Sequence, residues 1–253
     1  MTEHPFAKLL KISALFSYFL LTGFNNYAGF IDDQLKYNSV KNAYEEKYAI
    51  IQSKLAGLSV EINNVEVLIK AYKYEMEFKV FVREKSADEW LEYETYEFCS
   101  LSGYLGPKVR EYDFQVPEGY YQINHFNPYS SFVLSLGINY PNKADILKRP
   151  ADRKGDGIYF HGGCATIGCI PITDEKIKEV YILAALAKNS GQEKIEAHIF
   201  PFHLTESNFR VAVQKYPEHD LFWKNLMETE RTFDSLHVQK NVLVNKNGDY
   251  YLE

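Results

Sequence analysis

The residues from Ile158 to Glu175 concentrate the chemically capable side chains of this chain: Ile-Tyr-Phe-His-Gly-Gly-Cys-Ala-Thr-Ile-Gly-Cys-Ile-Pro-Ile-Thr-Asp-Glu. A histidine closes a short apolar run, two cysteines follow, and a helix start comes soon after the second. A cysteine attacks as its thiolate, and thiolates form where positive potential lowers the thiol pKa. For Cys169, a helix beginning at Thr173 supplies such potential. An imidazole adds a proton acceptor. His161 stands eight residues upstream, across a glycine-rich turn that can fold it back. Gly168 has no side chain, so backbone N–H groups beside Cys169 can approach a developing oxyanion closely. On residue types alone, three other uses stay open. Cys164 and Cys169 can form a structural disulfide. His161, Cys164 and Cys169 can be zinc ligands, with His198 or His203 completing the set. Both cysteines can also be buried and inert.

Several elements must position this block. Gly157 to Phe160 reads as a short strand ending at His161. Thr173 reads as a helix N-cap with Asp174 and Glu175 in the first turn. Ile177, Val180, Tyr181, Leu183, Ala184 and Ala187 carry the helical stripe to Gly191. Upstream, Val40, Ala43, Tyr44, Tyr48, Ile51 and Leu55 recur at helical spacing within 32–58. Runs at 67–72, 78–83 and 92–100 are β-branched and aromatic and predict strands. Residues 116–120 predict a turn feeding a strand at 121–123, and 132–136 alternates as another strand. Residues 141–157 are polar and predict a long loop. A strand at 197–200 is closed by Pro201, and Thr205 onward reads as helix through to Phe233. The tail from Val242 to Leu252 predicts a hairpin on its Asn247-Gly248 turn. Strands in runs, with helices before, after and inserted, predict an α+β fold with a mainly antiparallel or mixed sheet.

Composition bounds the possible functions. The 253 residues are 46% hydrophobic and 25% charged, a soluble globular mix that excludes disordered, collagen-like and multi-span membrane chains. The net charge of −6, without a basic tract, argues against a nucleic-acid partner. Three cysteines are too few for a disulfide-built scaffold, and an odd number leaves one unpaired. The 20 Tyr and 17 Phe fit a β-rich core or a sugar- or peptide-lined cleft. Lys8 and Lys11 precede an uncharged stretch from Ile12 to Ile31, which reads as a secretory signal or an uncleaved membrane anchor. An amphipathic or core helix is the bland alternative. Export would permit disulfides and an extracytoplasmic substrate.

The motif block resembles the active site of the L,D-transpeptidase (YkuD) family, a His-Gly pair followed after a spacer by Ser/Thr-His-Gly-Cys. His161-Gly162 matches the first part, and Thr166-Ile167-Gly168-Cys169 matches the second. The YafK-like branch is closer, with a pattern similar to His-Gly-Gly-Cys-Ala-Ser-Ile-Gly-Cys. Ser102 to Lys108 and Val116 to Tyr121 resemble its upstream signatures, and Ala197 to Phe202 and Phe222 to Leu226 its downstream ones. The resemblance covers roughly residues 60–235 in order.

That resemblance implies a β-rich, sandwich-like YkuD-type catalytic domain with flanking helices. It implies Cys169 as nucleophile on peptidoglycan stem peptides, through a thioester, with His161 as general base oriented by a backbone carbonyl such as that of Gly162. The N–H groups of Gly168 and Cys169 would serve the oxyanion, and no metal or cofactor is needed. Tyr104, Arg110 and Thr166 are the candidate substrate contacts; Arg110 can hold a carboxylate or lie on a solvated loop face. A wall-attached protein is a further candidate partner, since branch members include hydrolases that detach a protein from peptidoglycan. Two departures stand out: Ile167 replaces the second motif histidine, and Pro171 replaces an arginine. Cys164 is expected to pack against its loop, with pairing to Cys99 or a resolving role as alternatives. His125 and Asn127 can line the cleft or serve a turn. The expected organisation is 1–28 signal peptide or anchor, 29–60 N-terminal helix, 61–203 catalytic domain, and 204–253 helical extension with hairpin. The competing functions are transpeptidase, hydrolase with the same nucleophile, and a non-catalytic wall-binding module.

Overall fold

The computed structural model describes residues 29–148 and 157–253. The signal or anchor expected at 1–28 lies outside the described residues, as does the stretch 149–156 of the expected polar loop. The elements run α1 (Phe30–Gln34), α2 (Asn38–Gly57), β1 (Val65–Tyr72), β2 (Glu77–Glu84), β3 (Leu91–Glu97), β4 (Gly119–Asn127), β5 (Ser135–Ile138), α3 (Lys143–Lys148), β6 (Tyr159–His161), β7 (Ile170–Pro171), α4 (Asp174–Asn189), β8 (Glu196–Phe200), α5 (Glu206–Lys215), α6 (Asp220–Leu236), β9 (Val242–Val244) and β10 (Tyr250–Leu252).

Eight strands form one mixed half-barrel sheet in the order β3-β2-β1-β8-β4-β5-β6-β7. The β1–β8 and β6–β7 pairs are parallel and the other neighbours antiparallel. The sequence of β1 shows how the layers form. Val65, Val67, Ile69 and Ala71 enter the main core, while Leu68 joins Phe81, Trp90 and Phe233 on the other side. Alternate residues point to opposite faces, so a strand apolar at nearly every position is covered on both. α4 is buried on nearly its whole circumference, from Ile177 to Ala187, as a helix apolar all round must be. It packs in the main core with Val40, Ala43, Ile51 and Leu55 of α2. Across the sheet, Trp223, Leu226 and Met227 of α6 pack with Tyr72, Phe200 and Phe202. The expected extension after residue 203 therefore covers the second face of the sheet.

Four boundaries differ from expectation, each for a local reason. The helix expected from Thr205 to Phe233 breaks at Pro217, where a short 3-10 turn separates α5 from α6. The strand expected at 132–136 begins only at Ser135. Val133 has φ +68, and Leu134 N donates to Phe132 O at 2.8 Å, a tight turn that interrupts the alternation. The strand expected at 92–100 ends at Glu97, because Phe98 N turns to Met76 O (2.7 Å) and Cys99 N to Pro171 O (3.0 Å). Within the expected loop, residues 143–148 coil into α3. The Asn-Gly hairpin pairs Val244 with Tyr250 and Val242 with Leu252.

Candidate active site

β6 and β7 lie side by side in parallel at one end of the sheet, pairing Phe160 with Ile170 and His161 with Pro171. Cys169 immediately precedes β7. A period of two places it on the same face as Pro171, the residue opposite His161. The two residues that the sequence separates by eight positions thus share one face of one strand pair.

His161 is buried, and its ring stacks on Phe132 with centroids 4.5 Å apart and planes 29° apart. Its Nδ1 lies 2.5 Å from the carbonyl oxygen of Gly162. A carbonyl only accepts, so Nδ1 must carry the proton and the lone pair of the neutral ring resides on Nε2. Burial pushes the His161 pKa below the ordinary histidine value, against the smaller opposing effect of the Gly162 carbonyl. The imidazole is therefore neutral at neutral pH.

The two glycines after His161 have steric reasons. A Cβ on Gly162 would sit 2.5 Å from Asp174 Oδ1 and 2.6 Å from Phe132 O, while Gly163 has φ +62 and faces the Phe132 ring. The α4 N-terminus secures this turn in an unexpected way. Thr173 is the N-cap residue, but its side chain makes no cap bond. Asp174 instead accepts from Gly163 N at 2.7 Å.

Cys99 and Cys164 form a disulfide that spans 65 residues, with Cα atoms 5.3 Å apart. This corrects the expectation that Cys164 merely packs. It also removes the Cys164–Cys169 disulfide and the zinc set that needed Cys164 as a ligand. Cys169 remains as a free, half-buried thiol. Burial pushes its pKa up, while a hydrogen bond from the Tyr159 backbone and the charge of Lys108 pull it down. The net direction is upward, so burial favours the neutral thiol over the stabilised thiolate expected from the sequence.

Thr166 is turned into its own loop. Its hydroxyl donates to Cys169 O at 2.7 Å and accepts from Gly168 N at 3.2 Å. Gly168, with φ +136, packs so tightly that a Cβ would stand 3.1 Å from Gln115 O. The Gly168 N–H, expected to face an oxyanion, is held by Thr166 in the resting site. Tyr104 and Arg110 do not join the cysteine and histidine. They line an adjoining open groove of about 710 Å³ with Tyr112, Phe114, Gln115 and His219. Ile167 is exposed at the loop surface.

Lys108 was not singled out by the sequence as acting on Cys169. It is buried, with Nζ 2.6 Å from Asp113 Oδ1 and 3.0 Å from Arg110 O. Only the fold brings its charge near Cys169; its place after Gly106-Pro107 carries no such signal. Asn127 serves its turn, accepting from Tyr129 N at 3.0 Å, and His125 is exposed beside Tyr159. His198 is buried against Glu196, and His203 bonds Glu77 at 2.9 Å.

Residues 83–190 match the model of the YkuD family, the L,D-transpeptidase catalytic domain. The Escherichia coli (strain K12) protein named "Putative L,D-transpeptidase YafK" is 31% identical over 186 residues, covering 73% of this chain and 72% of that protein. Among solved structures, the helical cell shape determining protein Pgp2 from Campylobacter jejuni covers 72% of this chain and 74% of its own, at 14% identity and TM-score 0.42. Bdellovibrio bacteriovorus Bd1075 covers 66% and 58%, at 22% identity and TM-score 0.39. The chain belongs to the L,D-transpeptidase (YkuD) family.

Proposed function

We propose that this protein is an extracytoplasmic cysteine acyltransferase acting on peptidoglycan stem peptides. One observation carries the reading: with Cys99 and Cys164 joined, the single remaining thiol falls, by the β6–β7 register, on the same face as His161, a buried histidine whose Nδ1 is fixed on a carbonyl. That arrangement leaves Nε2 as the base on the nucleophile's side of the chemistry.

The steps follow from the protonation states. As Cys169 Sγ attacks the peptide carbonyl carbon, its proton passes to His161 Nε2 and an S–C bond forms. The negative oxygen is met by the Cys169 N–H, joined by that of Gly168 once it leaves Thr166. The imidazolium then protonates the departing amine, the C–N bond breaks, and a thioester remains. An acceptor amine or water attacks the thioester, giving its proton to His161, and the thiolate leaves and is reprotonated. The imidazolium is stabilised throughout by the Gly162 carbonyl, which also fixes the ring.

Transfer to an amine would crosslink the wall or attach a protein to it; transfer to water would be hydrolysis. Ile167 and Pro171 replace polar groups of the wider motif, and an exposed isoleucine at this loop favours a sparser acceptor site. Hydrolysis releasing peptide or protein is therefore the second reading. Purified protein incubated with crosslinked and uncrosslinked muropeptides, with products read by mass spectrometry, separates the two. New crosslinks support transfer; shortened products alone overturn it in favour of hydrolysis. Absence of both with intact Cys169 contradicts either enzyme reading and leaves the wall-binding module.

A further inference from the structure

The loop beside the nucleophile holds an arrangement that the chemistry at Cys169 does not use. Tyr104, Tyr112 and Phe114 are 72%, 74% and 49% exposed, and all three line the 710 Å³ groove. Grouped exposed rings of this size mark a binding surface. The backbone sharpens the point. Tyr112 and Phe114 both sit at positive φ, +58 and +56, a region that bulky residues occupy only where their surroundings impose it.

The imposing contacts are visible. Asp113, between the two rings, accepts from Val109 N, Arg110 N and Gln115 N, each at 3.0 Å, and from Lys108 Nζ at 2.6 Å. The ends of the loop are tied by Lys73, fully buried, which donates to Gly106 O and Val116 O at 2.9 Å and to Glu118 Oε1 at 2.8 Å. The loop backbone that presents the rings is thus held in place before any ligand arrives, which lowers the cost of binding.

The character of the groove selects the ligand. The charges of Lys108 and Asp113 are spent on each other. What lines the groove is flat aromatic surface with polar neighbours: exposed Arg110 and partly buried Gln115 and His219. A pyranose ring matches this, with apolar C–H faces for the rings and hydroxyl groups for the polar side chains. Location agrees, since the Gln115 carbonyl packs on Gly168 of the nucleophile loop. A stem peptide engaged at Cys169 would carry its attached sugars into the adjoining groove.

We propose that this groove is a carbohydrate subsite that holds the amino-sugar glycan strand while the attached stem peptide is processed. The identity of the glycan rests on the reading of the protein as acting on peptidoglycan; binding itself needs no thioester.

The test uses glycan strands stripped of their peptides, titrated into the full-length protein by calorimetry. The variants are Tyr112→Ala with Phe114→Ala, both exposed positions, and Tyr112→Phe as the conservative control, each checked for unchanged thermal unfolding. The expected result is binding by the unmodified protein, about tenfold weaker binding by the double variant, and retained binding by Tyr112→Phe. A second arm compares kcat/KM on muropeptides with that on sugar-free stem peptide, where the double variant should lose about tenfold more on the sugar-bearing substrate. No glycan binding by the unmodified protein, or equal binding by the double variant, overturns the proposal, as does equal loss on both substrates. Failure of the cysteine reading shows differently, as turnover by Cys169→Ala with glycan binding intact.

Discussion

At the scale of single residues, the site pairs a thiol whose pKa burial raises with an imidazole whose pKa burial lowers. Both shifts favour neutral forms, so the proposed mechanism moves the proton during attack rather than before it. Cys169→Ala should abolish turnover and leave thermal unfolding nearly unchanged, because one small half-buried side chain is altered. His161→Ala should reduce kcat by about 10²–10⁴-fold, the usual contribution of a positioned base. The pH dependence has a definite sign. The proposed base works only when neutral and its pKa is lowered from the ordinary 6.5, so kcat/KM should fall with acidification only below about pH 6.5. A profile whose acid limb lies above that value would contradict His161 as the base.

At the scale of elements, three devices hold the Cys169 loop: the β6–β7 pairing, Asp174 at the start of α4, and the disulfide from Cys164 to the segment after β3. Alkylation without reductant should label one thiol, Cys169, and alkylation of unfolded reduced protein should label three. Replacing Cys99 and Cys164 together by serine should cost about 2–4 kcal/mol of stability, since the link closes a long loop; chemical denaturation measures it. Much of this scale was legible in the sequence. β1, β2 and β8 announced themselves by β-branched runs, and the His-Gly-Gly-Cys block marked the candidate site. Other features were not legible, for physical reasons. β7 has only two residues, too few for any periodicity. The Cys99–Cys164 pairing joins residues distant in sequence, and three cysteines do not dictate which two meet. The Thr173 side chain makes no cap bond because its backbone, at φ +74, departs from the usual extended N-cap geometry. The strain at Tyr112 and Phe114 leaves no trace in residue types, which would suggest a turn only through glycine or asparagine.

At the scale of the whole molecule, the sheet needs both of its covers. Trp223 of α6 donates to Glu118 Oε2 at 2.8 Å, while Glu118 Oε1 takes Lys73 and Gly106 N. Trp223→Phe should cost about 1–3 kcal/mol by leaving a buried carboxylate oxygen unpaired, and a chain ending at residue 203 should not fold stably. Stability should also decline below about pH 6.5. Burial lowers the pKa of both His161 and His198, so the unfolded chain takes up their protons first and acid favours unfolding until the folded values are passed. Thermal melts across pH 4–8 (an illustrative window set by ordinary side-chain values of about 4 and 6.5) read this directly. The central claim is covalent chemistry at one sulfur. Intact-protein mass spectrometry after brief incubation with a stem-peptide substrate should reveal an acyl adduct on Cys169, released by hydroxylamine and absent from Cys169→Ala. Turnover by Cys169→Ala, or an adduct on any other residue, would contradict the account.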